Sequence, residues 1–128
     1  MPEPPRAPEP LSILLVSGGH GPAHAAFTLA AEGAALGRPV LVFAMGAGCR
    51  ALLAEAGWAD QDERLRERGV AGAGELRAAA AELGARLVAC DAGLRGEGLD
   101  AAALAPGAEI AGVVAFLEAA RGGTVVSV

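Results

Sequence analysis

Lysine is missing from this chain, and so is tyrosine. All ten basic side chains are arginine, which removes Schiff-base amine chemistry and any phosphate loop built on a lysine. Aromatic residues are sparse, three Phe and one Trp, so any core must be mainly aliphatic. No apolar run reaches the roughly 20 residues that cross a bilayer, because Gly, Pro or charge interrupts each one. A concentrated basic patch is also lacking. With a net charge of −5 the chain has little with which to neutralise a nucleic-acid backbone, so neither nucleic acid nor a membrane span is expected. Cysteine occurs only twice, at Cys49 and Cys90, without the spacing of a zinc site. No metal and no cofactor is expected.

What is present is apolar material, 53% of 128 residues, enough for one domain to bury a core without disulfides. The start MPEPPRAPEP lacks the basic head and apolar centre of a secretory signal. It reads as a disordered Pro-rich lead-in over 1–10, ahead of a single α/β domain over 11–128, and a cytoplasmic protein is expected.

Leu11-Ser12-Ile13-Leu14-Leu15-Val16 is short, partly β-branched and closed by Ser17-Gly18-Gly19, the pattern of a strand buried on both faces. Pro22 then suits a first helical turn, and Ala26, Phe27, Leu29, Ala30, Gly33 and Leu36 keep helical spacing up to Gly37. A second strand at 40–43 completes a βαβ unit. A short helix is predicted over 49–56. The charged stretch 58–74 reads as a surface excursion with one helical turn at 63–68. A helix over 75–83, a third strand Arg86-Leu87-Val88-Ala89-Cys90, a polar loop over 91–98, a short helical run near 99–104, a helix over 112–121 and a last strand over 124–128 follow. This alternation argues for a parallel sheet with helices on both faces.

Ligands and reactive groups in such sheets gather beyond the carboxyl ends of the strands. Cys90 stands at such an end. Its thiol is either a nucleophile, once a nearby cation such as Arg95 or a helix amino terminus lowers its pKa, or a small buried hydrophobe. Cys49 follows Gly46-Ala47-Gly48 at a predicted helix start, and the same two readings apply. Ser17, Gly18, Gly19 and His20 form a glycine turn that would present amides to an anion, as would Gly46 and Gly48. The turn lacks GxGxxG spacing, so a dinucleotide is not expected. His20 and His24 are either metal-ligand neighbours on one helix face or solvated residues at a helix start. The Arg/Glu run at 63–67 is most simply a solvated face.

Val88-Ala89-Cys90-Asp91-Ala92-Gly93-Leu94, then Gly98-Leu99, then Ala111-Gly112-Val113-Val114-Ala115-Phe116-Leu117-Glu118 and the terminal strand resemble the DsrE/DsrF-like (DsrEFH) family in order and spacing. Residues 11–43 fit that pattern more loosely. The resemblance implies a three-layer α/β/α fold with a five-stranded parallel sheet and homo-oligomers, often trimers or hexamers. It also implies sulfur trafficking, in which Cys90 accepts sulfur from a donor protein as a persulfide and passes it to an acceptor protein. Relay members commonly carry a different loop after the cysteine. Here Asp91 puts negative charge beside the thiol. The alternative reading is an oligomeric or small-anion-binding module in which the cysteine is incidental.

Overall fold

Five runs form strands: β1 (Leu11–Leu15), β2 (Val40–Ala44), β3 (Arg86–Cys90), β4 (Glu109–Ala111) and β5 (Thr124–Ser127). They belong to a computed structural model that describes residues 8–128, so the lead-in read over 1–10 lies outside the described residues apart from Pro8, Glu9 and Pro10. The strands pair in the order β4-β3-β2-β1-β5, and every pair is parallel. The three central strands are buried almost throughout, which is why they read as short unbroken apolar runs.

The helices are α1 (His20–Ala35), α2 (Ala59–Glu67), α3 (Ala73–Glu82), α4 (Asp91–Gly96) and α5 (Val113–Ala120), with 3₁₀ segments at Gly46–Leu52 and Ala101–Ala103. The architecture is the expected three-layer α/β/α sheet. Strand alternation divides the core in two. Ile13, Val42, Leu87 and Ala89 pack toward Ala23, Phe27 and Ala30 of α1 and Ala80 of α3. Leu41, Phe43, Val88 and Cys90 pack on the other face around Phe116 of α5, whose ring lies 5.4 Å from that of Phe43.

Residues 58–74 depart from the reading as a surface excursion. A full helix, α2, forms there and is docked. Trp58 is buried, 6.1 Å from the Phe27 ring and edge-on to His20 at 6.0 Å. Asp62 explains the docking. Its Oδ1 accepts from His20 Nε2 at 2.7 Å and from the Ala73 amide at 2.8 Å, while Oδ2 accepts from the Gly74 amide at 3.0 Å. The first residues of α3 have no side-chain cap of their own, because Gly72 stands at the N-cap. Asp62 supplies that cap from the preceding helix. Gly72 is required there, since a Cβ would lie 2.5 Å from the Asp62 Cγ.

Two other segments differ in kind. The helix predicted over 49–56 begins earlier and winds more tightly, as the 3₁₀ segment Gly46–Leu52. The polar loop read over 91–98 is instead the helix α4, which starts directly after Cys90.

Burial pushes the Asp62 carboxyl toward its neutral form, but the bonds from His20, Gly74 and Ala73 outweigh it and hold its pKa below the ordinary carboxylate value. A depressed carboxylate pKa contributes stability above its unfolded value, near 4, and loses it as pH falls through the folded value. Asp62→Asn is therefore expected to cost roughly 1–3 kcal/mol at pH 7 and to flatten part of the acid limb. Urea unfolding at pH 7 and pH 3 checks this, and an unchanged acid limb in the variant would refute it.

Candidate functional site

The carboxyl ends of β1, β2 and β3 bring together the segments read from sequence as functional: 17–20, 46–49 and 90–95. They meet by packing against one another. A Cβ on Gly48 would fall on the Leu15 carbonyl oxygen, and one on Gly18 would lie 2.7 Å from the Ala47 oxygen. Gly93, which the sequence reading passed over, is held equally close, 2.8 Å from the Gly46 amide and 2.9 Å from the Cys49 sulfur at its missing Cβ. Gly18, Gly48 and Gly93 thus let three backbones touch. Gly46 has a positive φ of 53°, which the turn into the 3₁₀ segment requires. Ser17 closes its own turn, its Oγ accepting from the Gly19 amide at 3.2 Å.

The two thiols are free and belong to opposite faces of the sheet. Cys49 is fully buried in the α1 side of the core, where its sulfur donates to the Ala44 oxygen at 3.4 Å and reaches the Cys90 carbonyl at 3.9 Å. Burial pushes the Cys49 thiol up from its ordinary value, against a smaller lowering by the Cys90 carbonyl contact. It is held as a neutral thiol, whatever the helix start nearby.

Cys90 is 6% exposed and packs with Leu41, Phe43, Val88 and Phe116. It occupies the N-cap of α4, but its side chain makes no capping bond. Arg95 does not serve it. That guanidinium reaches Asp91 at 3.1 Å, one turn away on α4, and both groups are exposed. Asp91 therefore stands as half of a surface ion pair.

The histidines end up on one helix face but serve different partners. Their rings are 6.1 Å apart. His20 donates to Asp62, and His24 donates through Nε2 to the Ala71 oxygen at 2.9 Å. His20 thus ties α1 to α2, and His24 ties it to the turn before α3. Among the described residues no cluster of His, Cys, Asp or Glu could hold a metal ion. His20 also leaves the anion loop in which the sequence reading placed it, because the helix starts at that residue and turns its ring toward Asp62.

The reversal in strand order falls between β1 and β5, so the switch-point crevice opens at Val16 to Gly19 and Cys90 lies two strands away. Clefts of about 230, 400 and 300 Å³ are lined by other residues than the cysteines.

No family model and no curated protein matches this chain. A solved structure does. It is a protein of unknown function, MTH1491 from Methanobacterium thermoautotrophicum, 16% identical over 94% of this chain and 99% of that one, with a TM-score of 0.60. That likeness shows the shared fold alone. Among the described residues no helix is long and apolar enough to cross a membrane.

Sequence reasoning missed Asp62 because its partners lie 42 residues before it and 11 and 12 after it. One signal was available. Gly72-Ala73-Gly74 opens a helix without any Ser, Thr, Asp or Asn cap, so the cap had to come from elsewhere.

Cys49 should be protected from alkylation in the folded protein by about a hundredfold or more relative to the unfolded chain. Timed iodoacetamide labelling followed by peptide mass analysis measures this. Fast native labelling of Cys49 would contradict its burial.

Proposed function

We propose that this protein is a sulfur carrier, sulfurtransferase-like, in which Cys90 accepts sulfane sulfur from a donor protein and passes it to an acceptor protein. The observation that carries the reading is the position of Cys90. It is the last residue of β3, a free thiol directly before α4, in the small core cluster on the α5 face of the sheet. The transfer is a thiolate attack on the outer sulfur of a donor persulfide. The donor's S–S bond breaks, the donor leaves as a thiolate, and the new Cys90 persulfide keeps the proton of the transferred sulfur. The step needs no external oxidant. Cys49, buried and neutral, takes no part.

A second reading is favoured by the burial of both thiols and by the outer side of α5. Val113, Val114 and Leu117 lie on that side, the latter two 67% and 61% exposed. An apolar stripe facing solvent on a helix that already buries Phe116 inward fits a contact between copies of the chain, the homo-oligomer the resemblance implies. In that reading the protein is an oligomeric module and Cys90 is a core residue.

Intact mass after exposure to a persulfide donor separates the two. A carrier gains a reducible adduct of about 32 Da, one sulfur atom, which Cys90→Ser abolishes while Cys49→Ser retains it. No adduct, or one that survives Cys90→Ser, removes the carrier reading.

Sedimentation tests the contact. The wild-type chain is expected to be oligomeric at micromolar concentration, and Leu117→Glu to shift it toward monomer. A monomeric wild-type chain under those conditions would rule the contact out.

A further inference from the structure

Arg77 is the half-buried arginine of α3, and its surroundings distinguish it from the paired arginines of this chain. Arg50, Arg66, Arg86, Arg95 and Arg121 each meet a carboxylate at the surface. Among the described residues Arg77 meets none. Its NH1 group donates to the carbonyls of Ala51 and Leu53, both at 2.8 Å, at the carboxyl end of the 3₁₀ segment. The guanidinium carbon lies 5.7 Å from the centre of the Trp58 ring. Two carbonyls and an aromatic face therefore fix the orientation of the group while leaving its charge without a counterion.

The other edge of the guanidinium, Nε and NH2, has no acceptor among the described residues. No buried side-chain nitrogen is left unpartnered there either, so that edge is reached by solvent. Arg77 also lines a cleft of about 400 Å³, together with Glu55, Trp58, Asp62 and Gly74 among others. That volume falls within the range of small-metabolite sites. The Nε/NH2 edge is the fork that grips a carboxylate or phosphate with two parallel bonds.

The acidic residues of the cleft do not already satisfy Arg77. Both oxygens of Asp62 are engaged by His20, Ala73 and Gly74. Glu55 is exposed and makes no ion pair among the described residues. Desolvation lowers the Arg77 pKa, as expected of a cation without a counter-charge, and a bound anion would relieve that cost.

We propose that the cleft between Trp58 and Arg77 is a binding site for a small oxyanion, a carboxylate or a phosphate, gripped by the free Nε/NH2 edge of Arg77. The site is independent of Cys90 and stands or falls separately from the carrier reading.

Trp58 is the only tryptophan of the chain and sits in the cleft wall, so its emission reports occupancy directly. The full chain is titrated with malonate and, separately, inorganic phosphate, with chloride at matched ionic strength as control. Saturable quenching or enhancement by at least one oxyanion, with no change in chloride, is the expected result. Whichever saturates at lower concentration identifies the class. Arg77→Gln should weaken binding by about tenfold or more, the loss of a bidentate charge-assisted pair. Because Arg77 also braces the 3₁₀ segment, that variant is first checked for folding by circular dichroism. Glu55→Gln, which leaves Arg77 in place and removes a nearby negative charge, should tighten binding about two- to fivefold. No saturable response in either the wild-type chain or Glu55→Gln would overturn the proposal, as would a folded Arg77→Gln that binds as tightly as wild type.

Discussion

A buried carboxylate stays ionised only where donors replace its water, and Asp62 collects three of them from two different helices. Much of the molecule around α1 and α3 follows from that demand. The Ala73 and Gly74 amides need a cap because Gly72 cannot provide one, and His20 needs an acceptor because the helix that carries it turns the ring inward. One side chain meets both needs and thereby pins α2, a helix whose other faces are almost wholly solvated. Trp58 is carried into place by the same docking. It closes the core over Phe27 and forms the wall against which Arg77 lies. Removing Asp62 would thus loosen more than one bond.

The second constraint is topological. The chain steps through β1, β2, β3 and β4 toward one edge, then α5 returns it across the opposite face to β5. One face is covered by α1 and α3 and is filled with Ala, Phe and Leu. The other has only the eight residues of α5 over its centre. Phe116 packs inward against Phe43 with Ala119 in the same cluster, and Val113, Val114 and Leu117 face out. Cys90 lies on this thinly covered face and Cys49 on the thick one. Their difference in surroundings comes from strand parity and from which loop carries each of them, and helix dipoles play no visible part.

The strands were legible because a strand buried on both faces leaves a mark that needs no partner to be read: a short apolar run bounded by Gly, Pro or charge. The runs at 11–15, 40–44 and 86–90 all carry it, and β3 ends at Cys90 as read. What escaped the reading depends on distant residues. In α2 only Asp62 is buried, so hydrophobic periodicity had nothing to register. The helix α4 contains Gly93 and Gly96, poor helix formers, and forms because Leu94 is drawn into the core while Gly93 clears the Cys49 sulfur. The glycines at 18 and 48 looked like anion loops by composition. Their reason is steric, and it shows only once the 3₁₀ segment is laid against β1.

The burial of Cys90 bears on rate rather than on possibility. A thiol behind a packed side chain reacts in proportion to the time its cover is open, and an opening that costs about 3 kcal/mol leaves roughly one molecule in a hundred reactive at any moment. Phe116 is one member of the cluster that holds Cys90, and its helix shows Val114 and Leu117 to solvent. A partner that docks on those residues gains apolar contact, on the order of 1.5–3 kcal/mol for each such side chain fully buried. If docking favours an opened α5, that gain is comparable to the cost of opening. A contact that displaced α5 would loosen the cluster that holds Cys90, whereas a contact with α5 left closed keeps the cysteine a core residue.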